Sequence, residues 1–124
     1  MSAPPPLHEL EAEIMDEVWA RGACTVRDVL DALNARAPTP RAYTTIMTVM
    51  HRLDGKGVLR RARAGRADVF VAALSRDEYA QARAEAQVGE LVDQYGDVAL
   101  AHFARHMSQL DPKRREQIRR LAGG

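Results

Sequence analysis

Apolar side chains open the chain at helical spacing. Leu7, Leu10, Ile14 and Val18 fall at i, i+3, i+7 and i+11, with Met15 and Trp19 beside them, so a helix is expected from Leu7 to Arg21-Gly22. Glu9, Glu11 and Glu13 near its start complement the helix dipole. Thr25-Val-Arg-Asp28 reads as a capping box with Asp in place of Glu, and Val26, Val29, Leu30 and Leu33 behind it predict a second short helix. Asn34 through Pro40 contains two prolines and reads as a loop. A third helix is expected from Arg41 to Gly55. Tyr43, Ile46, Val49, Met50 and Leu53 lie within about 60° of one direction on it, whereas Arg41, Thr44, Thr48, His51, Arg52 and Gly55 gather opposite, with Thr45 and Met47 on the flanks.

After Gly55-Lys-Gly57 the period changes. Val58 to Ala64 and Ala67 to Ala73 read as two strands around a turn at Gly65-Arg66, with Val69, Phe70 and Val71 as β-formers. Ser75-Arg-Asp-Glu78 is a full capping box opening a long helix to about Gln94, striped by Val88, Leu91, Val92 and Tyr95. A break at Gly96 leads to a helix carrying Leu100, Phe103, Met107 and Leu110. Asp111-Pro112 starts a last short helix with Ile118 and Leu121. The three prolines at 4–6 make residues 1–6 a lead-in expected to be disordered.

Charge changes the picture, because a net +1 conceals segregation. Residues 36–66 carry eight basic side chains against Asp54 alone, while residues 1–35 carry seven acidic and two basic ones. A basic block of this kind is a candidate footprint for a polyanion. A composition of 46% hydrophobic and 28% charged residues describes a soluble globular chain with no membrane span, and no signal peptide is recognisable at the start. The single Cys24 excludes an internal disulfide framework, so a cytoplasmic protein is expected.

Three helices followed by a hairpin is the order of a winged helix-turn-helix domain, in which the third helix enters the major groove and the wing lies against the backbone. Thr44, Thr45 and Thr48 are short enough to let a helix approach base edges, and each offers a hydroxyl and a methyl. His51 and Arg52 can reach bases or phosphate. The arginines of the hairpin suit phosphate, which gives affinity without sequence information. The same fold also serves as a protein-interaction adaptor, and threonines on an exposed face can be merely solvated. The C-terminal stripe would be poorly buried in a lone helical pair, so pairing of two chains is expected there; folding back on the same chain is the alternative. The fold class expected is therefore mainly α with a small β-hairpin, a winged helix-turn-helix domain at 7–74 followed by a helical dimerisation domain at 75–124.

The segments Glu9–Trp19, Thr25–Leu30, Ala42–Leu53 and Lys56-Gly57 together resemble the BlaI/MecI penicillinase-repressor family, over about residues 7–120. The resemblance implies a dimeric bacterial repressor on double-stranded palindromic operators with TACA/TGTA-like half-sites, relieved when an antibiotic-responsive membrane sensor-protease pathway cleaves it. It places the reading helix at Ala42–Gly55, with Thr44, Thr45, Met47, Thr48 and His51 facing the groove, Arg52 on groove or phosphate, and the wing around Arg63–Arg66. The basic residues themselves add Arg41 to the helix surface and Lys56, Arg60 and Arg61 to the phosphate contacts expected of the wing. The residues support the dimer independently: Val88, Leu91, Val92, Leu100, Phe103 and Leu110 would be poorly buried in a lone helical pair and form the expected dimerisation set. The family's cleavable bond, usually Asn-Phe, falls on His102-Phe103, a departure; Val69 and Val71 are a second one, where relatives are often polar or basic. The C-terminal cysteine motif of the copper-responsive branch is absent.

Other chemistry is thin. His102 and His106 stand at i, i+4, a two-ligand spacing, but no glutamate or cysteine completes a set nearby. Cys24 precedes a helix start, where a thiol can be activated, yet reads better as a small hydrophobe. No nucleophile–base pair, phosphate loop or metal motif is present, so neither an enzyme, nor a cofactor, nor a small-molecule ligand is expected.

Overall fold

In the computed structural model, which describes residues 3–123, the helices and strands follow the expected order. Helices α1 (Glu9–Arg21), α2 (Val26–Arg36) and α3 (Tyr43–Gly55) precede strands β1 (Leu59–Ala64) and β2 (Ala67–Ala72). Helices α4 (Arg76–Tyr95), α5 (Asp97–Ser108) and α6 (Pro112–Gly123) complete the chain. Among the described residues no helix is long and apolar enough to cross a membrane.

Local chemistry explains the boundaries. Thr25 Oγ1 accepts from the Asp28 amide at 3.1 Å, and Asp28 accepts from the Thr25 amide at 2.9 Å, closing the capping box of α2. Ser75 and Glu78 do the same for α4, at 3.1 and 2.8 Å. Asp111 caps α6 through the Arg114 amide at 2.9 Å. At the far end of α3 the chain leaves through Gly57, whose φ of 80° only glycine adopts cheaply. The Val58 amide returns to the Leu53 carbonyl (3.0 Å) and the Gly57 amide to Asp54 (3.1 Å), the Schellman pattern, with Leu53 and Val58 both buried.

The chain divides into two units, Met1–Ala84 and Glu85–Gly124. The core belongs to the first. Ile14, Met15 and Val18 of α1 meet Val29, Leu30 and Leu33 of α2, Ile46, Met50 and Leu53 of α3, and Val58, Leu59 and Phe70 of the hairpin. β1 and β2 pair antiparallel from Leu59↔Ala72 to Ala64↔Ala67, around a turn in which Gly65 has φ 66°. Cys24 adds an isolated rung to this sheet, its amide and carbonyl bonded to those of Phe70 at 3.0 and 2.8 Å.

The structure changes several sequence readings: Asn34–Arg36, expected in the loop, complete α2, and Leu110, expected on the fifth helix, lies beyond α5, which ends at Ser108. Tyr43, expected in the core of α3, is 40% exposed, because it is the first residue of the helix and lies beyond the packed stripe. Of the lead-in at 1–6, Met1 and Ser2 lie outside the described residues. Pro4 and Pro5 are half-buried, and their carbonyls accept from Arg83 (3.1 Å) and the Tyr79 hydroxyl (2.6 Å) on the first turns of α4. Trp19 joins the same junction: its indole N–H donates to the Leu74 carbonyl at 2.9 Å and its ring lies 5.7 Å from that of Tyr79.

One carboxylate stands inside the first unit. Glu11 is 3% exposed and both its oxygens are satisfied, by the His8 amide and by Lys56 Nζ, each at 2.9 Å. Burial alone would push its carboxyl up; the His8 N–H and the Lys56 ammonium outweigh burial and leave it below its ordinary value of 4.5. A depressed carboxylate contributes stability above its unfolded value, and that contribution is lost as pH falls through the folded one. Lys56→Ala is expected to lower unfolding free energy by about 1–3 kcal/mol at neutral pH, since Glu11 loses a charged partner. Urea unfolding at pH 7 and at acidic pH checks this: the difference should shrink once Glu11 is protonated, and a pH-independent difference would refute the assignment.

Candidate nucleic-acid interface

The outer side of α3 carries the polar set. Thr44, Thr45, Thr48 and Arg52 are exposed, and Met47 and His51 are half-buried at its edge. The helix can present this side because Ile46, Val49, Met50 and Leu53 hold the opposite one in the core. Its start is set by Asn34, a residue that reads only as loop in the sequence. The Asn34 side chain accepts from the Arg41 amide (2.8 Å) and donates to the Arg41 carbonyl (3.0 Å), closing the α2–α3 connection.

The hairpin register sorts the wing arginines. Cross-strand partners share a face and neighbours along a strand alternate. Leu59 and Phe70 point into the core, so Arg61, paired with Phe70, and Arg63, paired with Asp68, stand on the side turned to the helices. Arg60, paired with Val71, stands on the other side with Val69. The basic residues of the hairpin therefore do not form one surface. Arg66 sits at the turn.

A second sorting follows from ion pairs. Lys56, expected on the wing, caps the end of α3 and is engaged by Glu11 at 2.9 Å. Arg41 lies 3.2 Å from Glu13 Oε2, within ion-pair reach but not aligned for a hydrogen bond. Arg61 and Arg63 approach Asp68 only at 3.7 and 3.8 Å. Among the described residues Arg52, Arg60 and Arg66 have no carboxylate partner.

His51 joins α3 to the wing. Its Nδ1 is 3.1 Å from Arg61 Nη1, and its ring meets that of Phe70 edge-on at 5.7 Å. A guanidinium only donates, so Nδ1 is the acceptor and the proton of the neutral ring sits on Nε2. The contact thus supplies His51 with one defined donor. Cys24, the rung beside β2, is buried, and burial pushes its thiol up to about 11, which makes it a core residue and not a reactive one.

A face of short hydroxyl side chains, flanked by unpaired guanidiniums and a hairpin, is suited to a groove lined by phosphates and base edges. Residues 7–123 match the penicillinase repressor family. The chain belongs to that family. It is 42% identical over 73 residues to the transcriptional regulator BlaI of Mycobacterium tuberculosis, in strains CDC 1551 and H37Rv, a match covering 58% of this chain and 51% of that protein. The chain thus spans about half the length of these curated relatives. Its fold matches the solution structure of the DNA binding domain of the repressor BlaI, with TM-score 0.54 and 25% identity over 64% of this chain and 94% of that one. It also matches the Bacillus licheniformis BlaI monomeric form in complex with the blaP half-operator, with TM-score 0.53, 25% identity and the same coverage. The mainly helical winged-helix fold expected from the sequence is thereby borne out.

Proposed function

We propose that this penicillinase-repressor family member is a transcriptional repressor that binds double-stranded operator DNA, with α3 in the major groove and the β1–β2 wing on the backbone. The observation that carries the reading is the exposure of Thr44, Thr45, Thr48 and Arg52 together on α3, beside the helix-facing arginines Arg61 and Arg63. The B. licheniformis relative, bound to its half-operator, supports it. In this reading His51 donates through Nε2, Arg63 and Arg66 grip phosphate, and Lys56 supports the fold. The protein works in the cytoplasm, with the DNA.

We propose further that it acts as a homodimer on a palindromic site. Within residues 85–124, Val88, Leu91, Tyr95, Val98 and Leu100 are all exposed, Val98 by 62%. Leu91, Tyr95, Val98, Ala99, His102 and Phe103 line an apolar cavity of about 300 Å³. A single chain leaves this surface in water; a second copy covers it and brings two reading helices to a two-fold site. Of the expected dimerisation set, Val88, Leu91 and Val92 lie on α4, Leu100 and Phe103 on α5, and Leu110 just beyond α5, with Val92, Phe103 and Leu110 half-buried.

Release through an antibiotic-linked sensor-protease pathway at His102–Phe103 belongs to the same proposal. That bond lies inside α5, and a protease takes an extended chain, so cleavage requires α5 to open locally.

Four outcomes are expected. With an operator selected from random duplexes, Arg63→Ala should weaken operator and scrambled DNA alike, reducing the salt slope by about 0.9. Thr48→Ala should instead cut the preference for the operator by up to about tenfold. Equal binding of every sequence by the unaltered protein in gel shifts would end the reading. In sedimentation, Leu91→Glu should convert a dimer to a monomer; an unaltered chain that sediments as a monomer at micromolar concentration would remove the dimer. Intact mass after incubation with lysate of antibiotic-challenged source cells should show cleavage after His102, and repression lifted from an uncut chain would discard the proteolytic route.

A further inference from the structure

Beside α3 runs a groove of about 330 Å³ whose walls include Thr25, Arg27, Tyr43, Met47, His51 and Arg66. Two of these are cationic and face it from different elements: Arg66 from the wing turn and Arg27 from the first turn of α2. Nothing in the sequence singles out Arg27, which lies outside the basic block.

Its setting is specific. The Arg27 guanidinium carbon lies 5.0 Å from the centroid of the Tyr43 ring. Asp31, one turn further along α2, makes no ion pair with it, and among the described residues no carboxylate does. Tyr43 offers the ring because it left the core. A guanidinium laid on an aromatic ring keeps its N–H donors in plane for an anion while losing side-chain freedom in advance. The one carboxylate on the groove, Asp68, already faces Arg61 and Arg63.

We infer that Arg27, held on Tyr43, is a further phosphate contact of the DNA interface, gripping the strand that passes between α2 and the wing turn opposite Arg66. The inference rests on the DNA-binding reading. The contact adds affinity and fixes the register of α3 in the groove without reading sequence.

The test is operator affinity of the full chain between about 50 and 200 mM salt, by fluorescence anisotropy. Arg27→Ala should lower the slope of log affinity against log salt by about 0.9 and weaken operator and scrambled duplexes by the same factor. Arg27→Lys, which keeps the charge, should restore most of the slope. If Arg27 only ties α2 to α3, Arg27→Ala will lower the melting temperature and leave the salt slope intact, and the inference is overturned. An unaltered protein with no salt slope would overturn the DNA-binding reading and this contact together. A normal wild-type slope unchanged in Arg27→Ala removes this contact alone.

Discussion

The wing exists because Phe70 is buried. A two-stranded hairpin is marginal alone in water, and this one has a single fully buried residue on its second strand. Phe70 ties that strand to the helices in three ways. Its ring fills the core, its backbone pairs with Cys24, and its edge supports the His51 imidazole. Every wing position follows from it, because with Phe70 inward the alternation of the strand decides which arginines face α3. A one-residue slip would send Arg60 inward and Arg61 out.

Charge is used for two purposes that composition does not separate. Some cations of the basic block are spent inside the fold. Lys56 neutralises the buried Glu11 and fastens the end of α3 to the start of α1. Arg41 approaches Glu13 while Asn34 holds its backbone. Arg36 donates to Glu17 at 2.9 Å and Arg61 to His51 at 3.1 Å, whereas Arg52, Arg60 and Arg66 have no carboxylate partner among the described residues. Electrostatic attraction to a polyanion is therefore carried by fewer groups than the block suggests, from positions fixed by packing.

What could be read from the sequence was what short-range chemistry determines. Capping at Thr25/Asp28, Ser75/Glu78 and Asp111 spans three residues each, and the spacing of Ile14, Leu30, Ile46 and Leu53 with their neighbours reports the buried sides directly. What could not be read depends on contacts across the chain. The Glu11–Lys56 pair spans 45 positions and the Cys24–Phe70 rung 46. Tyr43 has the right phase for the core, and only its place at the first turn of α3 leaves it outside. Arg27 shows no pattern at all, since a lone arginine on a short helix is unremarkable until an aromatic ring lies beneath it. At the candidate interface, the threonines and basic residues were legible as a set, whereas their division between the two faces of the wing required the strand register.

Trp19 has one more consequence. It is the chain's only tryptophan, and its indole bonds the Leu74 carbonyl, lies under the Arg76 guanidinium at 5.0 Å and stands near Tyr79. Arg76 in turn bonds Asp16 at 2.8 Å. A nearby cation shifts an indole's emission, and an adjacent phenol transfers excitation to it. The molecule therefore carries an intrinsic optical probe where α1 meets the start of α4, and its colour and intensity report whether that joint is closed without any added label.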